Sequence, residues 1–259
     1  MKEFATTLIS FLLLALLLAL LLAYMKRFAT TLISFCASIF AQKKGTFTDP
    51  RDGKIYKTVK IGEQTWFAEN LNYEAEGSVC YENNPDNGAK YGRLYNWETA
   101  MKVCPKGWHL PTNEEWDKLL RFVDDDTVSK SLYYYYLCIF SILSREPRSR
   151  TRLYRSVTAG KHLKAVSGWK PCVGIKNLDT YGFSALPGGY GNSDGLFSKV
   201  GSNGYWWSAS EEENCGINVY SRYMDYYVND VCWYNGIREE REWCIGDKSD
   251  LLSVRCLQD

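Results

Sequence analysis

The chain has 259 residues, 46% apolar and 15% aromatic, with a formal net charge of +1. That length allows one domain of about 200 residues, or two small ones, around a real core, and the charge balance argues against nucleic acid as a partner. Nineteen Tyr and nine Trp exceed ordinary usage; each is a rigid apolar face with one polar handle, at home in β-rich cores and at contact surfaces.

Residues 5–24, ATTLISFLLLALLLALLLAY, run for twenty positions without a charge, long enough to span a bilayer as a helix. Lys2 precedes the run and Lys26-Arg27 follow it. The chain then repeats itself: KEFATTLISF at 2–11 returns as KRFATTLISF at 26–35. The second copy, from Met25, has the basic start, short apolar run and small residues near Ala41 of a secretory signal. Two readings stand. In one, Met25 is the original start and an added duplicate precedes it. In the other, residues 1–41 are a single signal anchor. Both carry the remainder across a membrane. Cys36 is a poor acceptor for lipid, because Phe35 is bulky for the position before it.

Residues 42–53 are polar and are expected to form a linker. From 54 to 61 the apolar residues alternate, with Ile55, Val59 and Ile61 on one face. Gly62-Glu63 can turn the chain, and 64–67 can return it as a β-hairpin. Residues 73–90, rich in Asn, Gly and Pro, read as loop. Asn96 can cap a short helix over 97–103.

The strongest local signal follows. Thr112 stands three residues before Glu115, the spacing of a capping box, and Pro111 can pack on Trp116 as its staple. Trp116, Leu119, Leu120 and Val123 then fall at i, i+3, i+4 and i+7, one apolar face of a helix. With Cys104, Trp108 and Leu110 leading in, residues 102–120 are expected to organise the core, and nothing there is poised for catalysis.

Residues 130–155 break the pattern. They hold an apolar run of twelve, LYYYYLCIFSIL, too short to span a membrane, then an Arg-rich tail; the segment has six basic residues and one acidic. It reads as an insertion, either loosely packed without a selected role or interfacial and partner-binding. A second short helix is expected over 158–166. Five short strands follow at 183–186, 205–210, 219–224, 231–233 and 251–257, separated by Gly/Asn/Asp turns such as 187–195. Two helices early and five strands late argue α+β.

In an exported chain the eight cysteines beyond Ala41 read as disulfide formers, with 105 pairings open. No CxxC pair occurs, and His109 and His162 lack partners at ligand spacing. No structural zinc and no cofactor are expected.

Five blocks in order carry a resemblance: DPRDGKIYKTVKIGEQTWFAENLNY, YGRLYNWETAMKVCPKGWHLPTNEEWDKLL, GFSALPGGYGNSDGLF, GYWWSAS and SVRCLQD. Together they resemble the Fibrobacter succinogenes major paralogous domain over residues 48–259, apart from 130–155. That family resembles the C-type-lectin-like fold of the formylglycine-generating-enzyme group, whose WxxA…RLPTEAEWE pattern is similar to 97–100 and 109–117 here. The resemblance implies a bacterial domain, secreted or in the cell envelope. Its fold, over 54–259, would be C-type-lectin-like: two helices, a twisted antiparallel sheet and long Gly/Asn-rich loops, preceded by an N-terminal hydrophobic helix. It also implies a long-range disulfide from the first helix region to the last strand, here Cys104 to Cys256. The family often has a second cysteine shortly after the one matching Cys80; Gly88 stands near that place, so Cys80 has lost its expected partner.

Three function classes follow. The first is a non-catalytic binding module for carbohydrate or another envelope component, with Tyr190, Trp206, Trp207, Trp233, Tyr234 and Asn235 as candidate contacts. Aromatic faces stack on sugar rings, and Asn both donates to and accepts from hydroxyls. Against this, Trp206 and Trp207 are neighbours on a strand, so at least one points inward. Trp233-Tyr234-Asn235 echoes the lectin-like Trp-Asn-Asp calcium signal only faintly. The second class is an enzyme related to the formylglycine-generating group. That chemistry needs a pair of thiols at a metal, and only Cys256 lies near the matching strand. No nucleophile elbow appears, and Glu114, Glu115 and Asp117 answer to the dipole of a helix start. An enzyme is therefore not expected. The third class is a structural or assembly component of the cell surface, held to the membrane by the N-terminal segment if that is uncleaved.

Overall fold

The computed structural model describes residues 43–126, 156, 158–211, 219–234 and 247–259. All lie in the second of two compact units, Lys43–Asp259. The hydrophobic run, its duplicate and the insertion expected at 130–155 lie outside the described residues. Among the described residues, no helix is long and apolar enough to cross a membrane.

The unit is α+β. It opens with three antiparallel strands: β1 (Lys44–Thr48), β2 (Ile55–Ile61) and β3 (Gln64–Phe67). The expected linker is thus largely a strand and a turn. β1 pairs with β2 from Lys44 opposite Val59 to Thr48 opposite Ile55, and the Asp49 carboxylate closes the turn by accepting from the Arg51 N–H at 3.0 Å. Polar strand residues read as linker until a partner strand takes their backbone groups. β2 also departs from the expected face. Val59 and Ile61 bury on one side and Tyr56 and Thr58 on the other, while Ile55 is exposed. A strand covered on both faces loses the simple in–out alternation.

The expected loop over 73–90 holds β4 (Ser78–Val79), a 3-10 turn (Tyr81–Asn83) and α1 (Pro85–Tyr91), followed by β5 (Leu94–Tyr95). Asn84 caps α1 by accepting from the Asp86 N–H at 2.9 Å. Pro85 takes the first helical position, where no N–H is needed. Asn96 caps α2 (Trp97–Val103) through the Thr99 N–H at 2.9 Å. After β6 (Trp108–His109) the capping box closes both ways at α3 (Asn113–Asp126). The Thr112 N–H donates to Glu115 Oε2 at 2.8 Å, and the Glu115 N–H donates to Thr112 Oγ1 at 3.3 Å. Trp116, Leu119, Leu120 and Val123 are all fully buried.

The remaining elements are α4 (Ala159–Leu163), β7 (Tyr190–Gly191), β8 (Phe197–Ser198), β9 (Asn203–Glu211), β10 (Val219–Asp225), β11 (Cys232–Tyr234), β12 (Leu252–Ser253) and β13 (Leu257–Gln258). The strand expected at 183–186 is reduced to one bridge, Ala185 to Lys164. The single strand expected at 251–257 is two, and they serve different sheets. One sheet runs β1-β2-β3-β13-β6, the other β11-β10-β9-β12-β5-β4, with a two-stranded β7-β8 ribbon beside them. Among the described residues the named strands pair antiparallel except for β12 on β9, and the isolated bridges Lys164–Ala185 and Gly189–Gly204 are parallel.

Between β12 and β13 the chain therefore passes from one sheet to the other, and its side chains lock that passage. Cys256, fully buried, is joined to Cys104 at the end of α2, with Cα atoms 5.9 Å apart. Arg255, also fully buried, donates to the carbonyls of Phe67 and Phe183 and to Asn70 Oδ1, the last at 2.7 Å. Burial brings its pKa down to about 9 against the attraction of Asp179 and Glu69. A buried guanidinium is tolerated only where such oxygens replace water.

Candidate functional site

The two tryptophans expected to face a ligand do not reach the surface. Trp206 and Trp207 are both fully buried. β9 lies inside its sheet, between β10 and β12, so each of its faces meets a core. Trp206 belongs to one core cluster with Trp66, Trp116 and Met224, and Trp207 to another with Phe67, Tyr95 and Val254. Each indole N–H has a buried acceptor, Asn70 Oδ1 at 2.9 Å and the Tyr95 carbonyl at 2.7 Å. Their polar handles are used inside the fold. The backbone of Trp233 and Tyr234 belongs to β11, which places Tyr234 opposite Ser221 and Trp233 opposite Arg222. Asn235 lies outside the described residues.

Tyr190 is half-buried and belongs to a larger arrangement. Its ring meets Tyr205 edge-on at 5.3 Å, and Tyr205 meets Tyr223 at 5.1 Å. Tyr205 and Tyr223 stand directly opposite each other on β9 and β10, so the antiparallel register brings their rings together. All three rings keep part of their surface in solvent. At the end of the stripe the Tyr223 hydroxyl donates to the buried Asp225 carboxylate, which also accepts from Asn203 Nδ2 at 2.7 Å. Burial, and then the Asp225 carboxylate, hold the Tyr223 phenol far above its ordinary pKa. That hydroxyl stays protonated and fixed in direction. Tyr205 and Tyr223 were missed in the sequence, although both fall in expected strands; the register that pairs them is a tertiary fact.

Two clefts lie elsewhere. One, of about 570 Å³, is lined by Arg51, Tyr73, Asn96, Glu98, Thr99 and Lys102 among others. Arg51 is fully engaged there. It grips Asp49 through Nε at 2.9 Å and Nη2 at 2.6 Å, donates to the Val103 carbonyl at 2.8 Å, and lies 3.8 Å above the Tyr73 ring. Burial would raise the Asp49 pKa, but the hydrogen bonds from Arg51 outweigh it and hold it below the usual carboxylate value. The other cleft, of about 230 Å³, lies between Lys54, Glu69, Asn72, Gly88 and Tyr91. Cys80 is a free thiol against Gly88, with Arg93 Nη1 3.4 Å from its sulfur. Cys172 is also free. Among the described residues, no group of three or more His, Cys, Asp and Glu could hold a metal ion.

His109, which has no partner at metal-ligand spacing in the sequence, has two hydrogen-bond partners in the fold. Its Nε2 lies 2.9 Å from Glu115 Oε1, and its Nδ1 lies 2.7 Å from Asp259 Oδ1.

These observations define an α+β domain of two main sheets, with a disulfide from the end of α2 to the run between its last two strands and an aromatic stripe along β9 and β10. The chain belongs to the Fibrobacter succinogenes major domain family, whose model it matches over residues 59–258. No curated protein and no solved structure matches it.

Proposed function

We propose that the domain is a non-catalytic binding module, exported by a bacterium to its envelope or surroundings, and that it takes carbohydrate or another envelope component on the stripe Tyr190–Tyr205–Tyr223. The observation that carries this reading is the stripe itself: three touching, part-exposed rings, with a phenol hydroxyl and an amide fixed beside a buried carboxylate. Flat aromatic faces suit the C–H face of a sugar ring, and the hydrogen bonds among Tyr223, Asn203 and Asp225 hold the end of the stripe in place. The lectin-like character of the fold is part of the same proposal, supported by a disulfide from the end of a helix to the run between the last two strands. That bond also fits an oxidising compartment. An enzyme of the formylglycine-generating kind is disfavoured because Cys256, the cysteine in the matching place, is spent on Cys104.

The purified protein on a glycan array should retain a defined set of sugars. Tyr205→Ala should abolish most of that binding, since one stacked aromatic ring is worth roughly 1 kcal/mol beyond its buried area. An unchanged array after Tyr205→Ala and Tyr223→Ala would move the ligand off the stripe. No retention of any glycan would favour the structural or assembly reading.

A further inference from the structure

His109 joins two parts of the fold, the start of α3 and the end of β13, that no backbone hydrogen bond among the described residues connects directly. Its backbone lies in β6, opposite Leu257 of β13. One ring nitrogen faces Glu115, whose other oxygen closes the capping box of α3; the second faces Asp259, just beyond β13. Carboxylates only accept. A neutral imidazole has one N–H and one lone pair, so it can satisfy one of these partners and must turn a lone pair toward the other. Only the imidazolium donates to both. Among the described residues, the charged groups that reach the ring are Glu115 from the helix and Asp259 from the strand end.

We propose that His109 is a protonation-gated clasp: as imidazolium it fastens the end of β13 to the start of α3, and as neutral imidazole it releases Asp259. Glu115 is the partner that stays, because the Thr112 backbone holds its carboxylate in the capping box and only 31% of its side chain is exposed, against 60% for Asp259. Release begins beyond Cys256, because the disulfide pins the chain there. It includes the pairing of Leu257 and Gln258 with His109 and Trp108, and the hydrogen bond from the Asp259 N–H to the Gly107 carbonyl at 3.1 Å. Burial alone would lower the imidazole pKa from 6.5, but the hydrogen bonds to Asp259 and Glu115 outweigh it and raise it. The folded value therefore lies above the unfolded one. The stability contributed by the clasp is complete below the unfolded value and is lost as pH rises through the folded one. Both carboxylates are partly solvated, so salt should weaken the clasp.

The chain has two histidines, so both imidazoles of the intact protein can be assigned and titrated by NMR. His109 is expected to titrate above 6.5. Asp259→Asn and Glu115→Gln should each lower its midpoint, because each removes one of the two acceptors that favour the imidazolium. The protection of the Asp259 amide against hydrogen exchange, corrected for intrinsic rates, should fall severalfold as His109 deprotonates, and His109→Gln should remove that step. A midpoint at or below 6.5, a midpoint unmoved by both substitutions, or amide protection that ignores the titration would each overturn the clasp. None of these readouts depends on a ligand, so they stand or fall apart from the binding proposal.

Discussion

Cys104 and Cys80 stand at comparable places and end differently. Cys104 closes α2, and its sulfur meets Cys256, 152 residues away in the run between the last two strands. Cys80 precedes the 3-10 turn that leads into α1, and its sulfur meets Gly88 within that helix. A Cβ placed on Gly88 would lie 2.4 Å from the Cys80 sulfur and 3.4 Å from the Cys80 Cβ. The Cβ separation in a disulfide is about 3.5–4.5 Å. The backbone at Gly88 thus brings a Cβ close to the separation of a disulfide pair, with the Cys80 sulfur needing to turn aside to make room for one. Cys104 is stapled and Cys80 is not, yet α1 still forms. A local helix with its own cap needs no covalent closure, whereas a passage between two sheets joins residues far apart in sequence and gains far more from it.

The largest expected effect comes from breaking the long staple. In the chain-entropy model, closing a loop of this length restrains the unfolded chain by roughly 4–5 kcal/mol, comparable to the net stability of an ordinary domain. Cys104→Ser and Cys256→Ser should lower stability by similar amounts in denaturant melts, and the double variant by no more than either single one. Reductant should bring the wild type down to the same level. A midpoint indifferent to reductant would mean that packing, not the bond, holds the passage.

Introducing a short staple at Cys80 should act in the opposite sense and less strongly. Gly88→Cys is expected to oxidise with Cys80 and to add roughly 2–3 kcal/mol, the value for a loop of this size before strain is subtracted. Peptide mapping without reduction would show the bond. Gly88→Ala supplies the Cβ without the bond and should destabilise, because that Cβ meets the sulfur at 2.4 Å. If Gly88→Ala were neutral, the thiol would be free to swing away and the comparison would lose its geometric basis.

The smallest effect concerns the cap beside the long staple. Thr112→Ala removes the hydroxyl that receives the Glu115 N–H and should cost about 1 kcal/mol. Calorimetry of this variant with and without the disulfide would show whether cap and staple act independently. Additive losses are expected, because the two constrain different backbone groups.

Much of this was legible in the residues because it is local. Asn96 and the pair Thr112–Glu115 announce helix starts by satisfying backbone groups two or three positions away. Val59, Ile61 and the turn at Gly62-Glu63 announce a hairpin. Other features carried a signal that needed context. Asn84-Pro85 is a helix start, yet its Gly- and Asn-rich surroundings read as loop. Lys44–Thr48 shows no alternation, because a polar edge strand declares itself only through its partner. Trp206 and Trp207 show the limit most clearly. Period 2 puts them on opposite faces, but only the neighbours β10 and β12, and the core above and below, decide that both faces are closed.

By itself, then, the sequence determined the family, the α+β class, the caps of the two helices around Cys104 and, through the family resemblance, the pairing of Cys104 with Cys256. Each rests on spacing along the chain or on residues in a recognisable order. The tertiary structure alone decided that residues 252–258 divide between two sheets, that Arg255 sits unexposed among carbonyls, that Tyr190, Tyr205 and Tyr223 form one stripe, and that His109 lies between Glu115 and Asp259. The reason is physical. Register, the covering of a second face and the meeting of charges from distant segments depend on what the rest of the chain places there, and no local propensity encodes it.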